Sequence, residues 1–204
     1  MTTYGLPYFL EDKTGKLTGS EFIDVHDRLR LSYRRTTDLS VPHTAYMIYN
    51  TSSNTYPGSF STALIALSFG SNNDLGTVSF SSKVSIPMKK YLIKVSSVGR
   101  VRKFVASDGQ EYYWSWRSQA NQEWTVRMTA DCFIHTALNL SATSKRQCTN
   151  VKGYLIAYYS LKTPGEPQYE TSGCSLTVEE AFGHLAPEML ASLMIMRHIY
   201  EYNL

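Results

Sequence analysis

Pro187-Glu-Met-Leu-Ala-Ser-Leu-Met-Ile-Met-Arg-His-Ile-Tyr200 decides how this chain folds, because it is the one long helical pattern in a sequence that otherwise reads as short strands. From Met189 to Met196 seven of eight residues are apolar, and Ser192 alone interrupts them. A helix that is apolar on every side has to be buried on every side. The segments before it are of β type, so the simplest enclosure is a curled sheet or barrel around a C-terminal helix predicted over 187–202. The fold class expected is therefore mainly β, an antiparallel barrel enclosing a hydrophobic C-terminal helix.

The 204 residues suit one large β-rich domain, and a hydrophobic fraction of 43% with only 18% charged residues is that of a folding chain. We expect residues 21–204 to form that domain and residues 1–20, which carry no period, to be a loosely attached arm. The 15 Tyr and 8 Phe fit half-buried pleated surfaces. The first residues lack a basic segment followed by an apolar core, which argues against a secretory leader. The helix falls short of the roughly 20 residues needed to cross a bilayer. Three cysteines, Cys132, Cys148 and Cys174, have no close pairing and read as reduced thiols. These features together predict a cytoplasmic protein, with a peripheral position at a membrane surface as the extension of that reading.

Strands are expected over 44–50, 61–69, 77–82, 89–95, 102–106, 111–117, 124–130 and 153–161. In Trp124-Thr-Val-Arg-Met-Thr-Ala130 the alternation is clean, with Trp124, Val126, Met128 and Ala130 on one face. Asp108-Gly109 predicts a tight hairpin between its flanking strands. Thr177-Val-Glu-Glu180 has the form of a capping box for a short helical turn, and Pro187 suits a first helical position.

The order of three motifs, the hairpin Asp108-Gly109-Gln-Glu-Tyr-Tyr-Trp-Ser-Trp116, the segment Cys174-Ser-Leu-Thr-Val178 and the apolar closing helix, resembles a family of fungal, basidiomycete-type domains of unknown function within the tubby C-terminal-like group. The resemblance spans about Phe22 to Tyr202. It implies a barrel of roughly twelve strands threaded by its C-terminal helix, and it transfers no activity. The group's phosphoinositide binders make a lipid ligand more plausible than nucleic acid. Arg197 and His198 stand where that family stays aliphatic, and 163–173 is extended relative to it.

Between Lys83 and Lys103 the residues Lys83, Lys89, Lys90, Lys94, Arg100, Arg102 and Lys103 occur with no acid among them. If 90–95 is a strand, Lys90 and Lys94 share a face opposite Tyr91, Ile93 and Val95. Such a stripe suits an anionic lipid, each basic residue near an acidic membrane contributing on the order of 1 kcal/mol. A solvated strand face that blocks edge pairing is the simpler alternative. A net charge of only +3 and the lack of a reader motif argue against nucleic acid. Arg28, Arg30, Arg34 and Arg35 suggest either a phosphate clamp or surface charge paired with Asp24, Asp27 or Asp38.

The leading expectation is thus a binding module for an anionic lipid or a hydrophobic small ligand. The alternative is an enzyme acting on a small, largely apolar metabolite in a pocket between barrel wall and helix. Tyr46, Tyr112, Trp114, Trp116 and Tyr158 are its candidate pocket residues, and His135 and His198 its candidate proton-transfer groups. The alternative for all of these is ordinary packing. Histidine and cysteine spacing gives no metal site, and no cofactor motif is present.

Overall fold

The protein's structure, a computed structural model, describes residues 5–36, 44–52, 62–80, 84–95, 101–117, 123–128, 155–161 and 171–204, with backbone alone at 116–117 and 123–128. The strands are β1 (Tyr8–Asp12), β2 (Gly19–Asp24), β3 (Arg30–Arg35), β4 (Thr44–Asn50), β5 (Ile65–Phe69), β6 (Thr77–Phe80), β7 (Val84–Pro87), β8 (Ile93–Lys94), β9 (Arg102–Val105), β10 (Glu111–Arg117), β11 (Glu123–Met128), β12 (Leu155–Ser160) and β13 (Cys174–Val178). Helix α1 is a single turn, Met88–Tyr91, and α2 is the long C-terminal helix, Ala186–Glu201, entered through a 3-10 segment at Glu180–Leu185.

Among the described residues thirteen strands form one sheet in the order β7-β6-β5-β4-β3-β2-β1-β13-β12-β11-β10-β9-β8. Every neighbouring pair is antiparallel, and β1 beside β13 is the one junction between strands distant in sequence. Strands β7 and β8, consecutive in the chain, therefore form the two outer margins. Among the described residues they do not pair with each other, so the structure gives a curled open sheet and not the closed barrel expected. The physical reason lies in the link between them. Instead of a hairpin, the chain makes the α1 turn, and its buried Tyr91 ring fills the gap, 5.2 Å from Phe80 of β6 and 5.6 Å from Phe104 of β9. Side-chain packing bridges the seam where backbone hydrogen bonds do not.

Helix α2 is the core. Every residue from Met189 to Met196 is at most 1% exposed, as an all-round apolar helix requires. Its polar exception is satisfied on both sides: the Trp114 indole N–H donates to Ser192 Oγ at 2.8 Å, and Ser192 donates back to the Met189 carbonyl at 3.0 Å. That contact fixes the rotation of the helix against β10. Leu10, Phe22, Leu31, Ile48, Leu67, Ile156 and Leu176 pack on the sheet's inner face, each such side chain contributing about 1.5–3 kcal/mol when fully buried.

Three expectations are corrected here. Residues 8–20, expected in a loose arm, supply β1 at the middle of the sheet and the turn into β2. The sequence hides this because Leu10 and Asp12 share the buried face, and so do Ser20, Phe22 and Asp24; inward polar groups cancel the alternation. Residues 89–95, expected as one strand, form most of α1 and then the short β8, because Met88 and Tyr91 bury an i, i+3 face. Thr177 lies within β13, and the 3-10 segment after it has no side-chain cap, so the capping box does not form. The Asp108-Gly109 hairpin joins β9 to β10 as expected, with Gly109 at φ +78.

Replacing Leu193 by Ala removes a side chain packed inside the sheet and is expected to lower unfolding free energy by about 2–5 kcal/mol in urea denaturation. A loss below about half a kcal/mol would place that face of α2 against solvent.

Candidate binding sites at the sheet seam and the helix end

The basic stripe does not survive as one surface. Lys83 and Arg100 lie outside the described residues. Arg102 folds inward, donating to the Leu204 carbonyl at 3.1 Å and to the Leu92 carbonyl at 3.5 Å, and burial lowers its pKa. Lys103 is paired with Glu111 at 2.8 Å. Lys89, Lys90 and Lys94 remain exposed and form no ion pair among the described residues. They stand on the outer side of the α1 turn and on β8. The shared-face expectation holds for Tyr91, which points inward, and fails for Ile93, which is 46% exposed because this stretch is not a continuous strand.

Beside these lysines the two sheet margins frame a groove of about 450 Å³, lined by Ile65, Phe80, Ile86, Tyr91 and Val105 with Glu188 at its α2 side. Val84, Ile93 and Val105 are each close to half exposed or more along these margins. The Tyr91 hydroxyl is sealed and has no hydrogen-bond partner among the described residues, and burial first, then the Glu188 charge, raises its pKa. Glu188 itself accepts from the Ser107 amide at 2.9 Å and from the Ser107 hydroxyl.

At the other end of α2 a polar cluster ties the helix to the sheet. Asp12, fully buried, accepts from Ser20 Oγ at 2.5 Å, the Gly15 amide at 2.8 Å and the Tyr159 hydroxyl at 2.7 Å. Arg197 approaches the same carboxylate at 3.5 Å, donates to the Gly15 carbonyl at 2.6 Å and lies 4.9 Å over the Tyr159 ring. Next to this cluster, a cavity of about 130 Å³ lies between sheet and helix, lined in part by Tyr33, Arg35, Tyr46, Phe69, Met194 and His198. Tyr33 stacks on Tyr46 with centroids 4.8 Å apart, and His198 stacks on Phe69 at 4.0 Å. His198 Nε2 donates to the Asn73 carbonyl at 2.7 Å, which assigns the proton to that nitrogen. The cavity shares Leu17, Thr18 and Tyr202 with an outer cleft of about 470 Å³.

Of the expected pocket residues, the structure brings Tyr46 and His198 together. Tyr112 is buried in the wall with its hydroxyl on Asp108 at 2.6 Å, Trp114 is committed to Ser192, and Tyr158 is half-buried on β12 away from both sites. His135 and the Trp116 side chain lie outside the described residues. Three of the four arginines of the cluster are in ion pairs: Arg30 with Asp27 at 2.5 Å and Arg34 with Glu21 at 2.7 Å as surface charge, and Arg28 with the buried Asp24 at 2.8 Å. Burial pushes the Asp24 carboxyl up, but Arg28 and two backbone amides outweigh it and hold the group below its ordinary range. Sequence reasoning missed Tyr33 and named Arg35 only within the arginine cluster, although the alternation Leu31, Tyr33, Arg35 places all three on one face; Arg35 is exposed and lines the cavity.

Among the described residues no three His, Cys, Asp or Glu side chains converge to hold a metal, and no helix is long and apolar enough to cross a membrane. Comparison of the chain with protein-family models, with curated proteins and with solved structures gives no match. The reading of both sites therefore rests on their geometry.

Burial lowers the His198 pKa against the opposing effect of its bond to Asn73. The unfolded chain therefore binds a proton that the folded protein refuses, and stability is fully present above the unfolded pKa of about 6.5 and declines as pH falls from there towards the folded value. Urea midpoints are expected to drop between roughly pH 7.5 and pH 5.5, with the slope flattened in His198→Gln. The same slope in that variant would assign the effect to other groups.

Proposed function

We propose that the protein is a non-enzymatic binding module that seats on an anionic lipid surface and takes an apolar part of a lipid into the seam groove. The observation that carries this reading is the juxtaposition of Lys89, Lys90 and Lys94, exposed and without acidic partners among the described residues, with a groove of about 450 Å³ whose margins carry exposed Val84, Ile93 and Val105. Lysines held on the outer side of a turn reach a headgroup layer while the residues beside them meet its apolar boundary. The groove's size falls within the range of roughly 300–1,000 Å³ typical of small-molecule sites. Membership of the tubby C-terminal-like group and a cytoplasmic position at a membrane surface belong to the same proposal.

The enzymatic alternative draws on the helix-end cavity, where Tyr46 and His198 come together. It is the weaker reading. His198 Nε2 is engaged by a backbone carbonyl, the lining holds no carboxylate, thiol or lysine among the described residues, and burial raises the pKa of the Tyr33 and Tyr46 phenols, whereas acid–base catalysis is most effective with a group whose pKa lies near the working pH.

Vesicle flotation tests the proposal. The protein is expected to float with vesicles rich in phosphatidylserine and not with phosphatidylcholine vesicles, to release as salt rises, and to lose about tenfold or more in affinity when Lys89, Lys90 and Lys94 are reversed to Glu. Equal binding to both vesicle types, or binding unchanged by the reversal, overturns it.

A further inference from the structure

We infer that the cavity at the C-terminal end of α2 is a binding site for a small organic carboxylate, distinct from the seam groove. Register supplies the first argument. Arg35 of β3 lies directly opposite Tyr46 of β4, and Tyr33, two residues earlier, points to the same face. Tyr33 is 1% exposed and packed in the core, and Arg35, exposed at the end of the strand, lines the cavity at its rim. It forms no ion pair among the described residues, unlike Arg28, Arg30 and Arg34 on the same stretch of chain.

The lining supplies the second. Among the described residues it contains a guanidinium, the phenols of Tyr33, Tyr46 and Tyr202, and two threonines, with no Asp or Glu; Glu201 of α2 lines the adjoining outer cleft instead. The hydroxyls of Tyr33 and Tyr46 have no hydrogen-bond partner among the described residues. Ser32 and Tyr91 carry the sealed, unpartnered hydroxyls, and the Tyr33 hydroxyl is not one of them. Since Tyr33 has almost no outer surface, the space its hydroxyl meets is the cavity. Burial keeps both phenols protonated, so they are donors. His198 donates its Nε2 proton elsewhere and burial keeps it neutral, so it adds no charge of its own.

Chemistry and size then select the ligand. Unpaired donors beside an unpaired guanidinium suit a carboxylate, which accepts charge-assisted bonds from both. A cation would face Arg35, and an apolar molecule would leave the phenols unpaired. The floor is aromatic and thioether, with Phe69, Met194 and the stacked faces of Tyr33 and Tyr46, so the body of the ligand is apolar. A cavity of about 150 Å³ accepts a benzene ring, and this one is about 130 Å³. The ligand is thus ring-sized or shorter, its carboxylate at the Arg35 rim and its apolar end towards Met194.

The test titrates the full chain with sodium benzoate, benzyl alcohol and inorganic phosphate at fixed ionic strength, following amide shifts of Ala45, Tyr46, Gly70 and Asn73. Benzoate is expected to give saturable shifts, with benzyl alcohol and phosphate each weaker by about tenfold or more. Arg35→Gln, at an exposed rim position that leaves the core intact, is expected to lose about tenfold in benzoate affinity, and Tyr46→Phe a smaller factor. The Lys89→Glu, Lys90→Glu, Lys94→Glu variant is expected to bind benzoate as the parent does. No saturation with benzoate, equal affinity for benzyl alcohol or phosphate, retention of affinity in Arg35→Gln, or its loss in the lysine variant each overturns the assignment.

Discussion

Helix α2 has no polar face, and the rest of the structure follows from the need to surround it. Its central eight residues leave almost no area to solvent, so a flat sheet, which covers one side of a helix, does not suffice. The sheet has to curl until its margins approach each other around the helix. The orientation of the enclosed helix is then set by polar contacts that only one rotation satisfies: Ser192 on Trp114 near its middle, and Arg197 beside buried Asp12 near its end. Burial supplies the driving force. The few buried polar groups select a single arrangement, since leaving any of them unpaired costs about 1–3 kcal/mol.

Both candidate sites lie where that enclosure is incomplete. Along the seam, β7 and β8 do not pair with each other among the described residues, and Tyr91 spans the gap between Phe80 and Phe104. Strand edges left open have to be guarded, and the three lysines of α1 and β8 do this. At the helix end the sheet rim leaves a space between Tyr46 and His198 that side chains do not fill. Ligand sites in curled sheets occur at such mouths because elsewhere the interior is packed.

The sites were only partly legible beforehand. A run of basic residues without acids is visible in any sequence, but pairing across the sheet is not. Lys103 meets Glu111 through the β9–β10 register, and Arg102 turns to the carbonyl of Leu204, a residue about a hundred positions away in the chain. Tyr46 and His198 were recognisable as candidates by residue type, yet nothing in their separation along the chain says that they line one cavity. Arg35 read as part of a phosphate clamp or as surface charge, and only the register of β3 against β4, which sets it opposite Tyr46, brings it to the cavity.

What the sequence determined by itself is what depends on neighbours a few residues apart. The all-round apolar run sets α2, period-two alternation sets strands such as β5, and Asp108-Gly109 sets the β9–β10 turn. Tertiary structure decided the rest. It placed β1 at the middle of the sheet although its buried face carries Asp12, because Tyr159 and Arg197, contributed by distant segments, join the nearby Ser20 in satisfying that carboxylate. It also turned 88–91 into a helical turn and left the sheet open beside it. A local pattern records which residues prefer burial or a given backbone geometry; which groups meet inside is fixed by strand pairing over long separations, and no local pattern contains that.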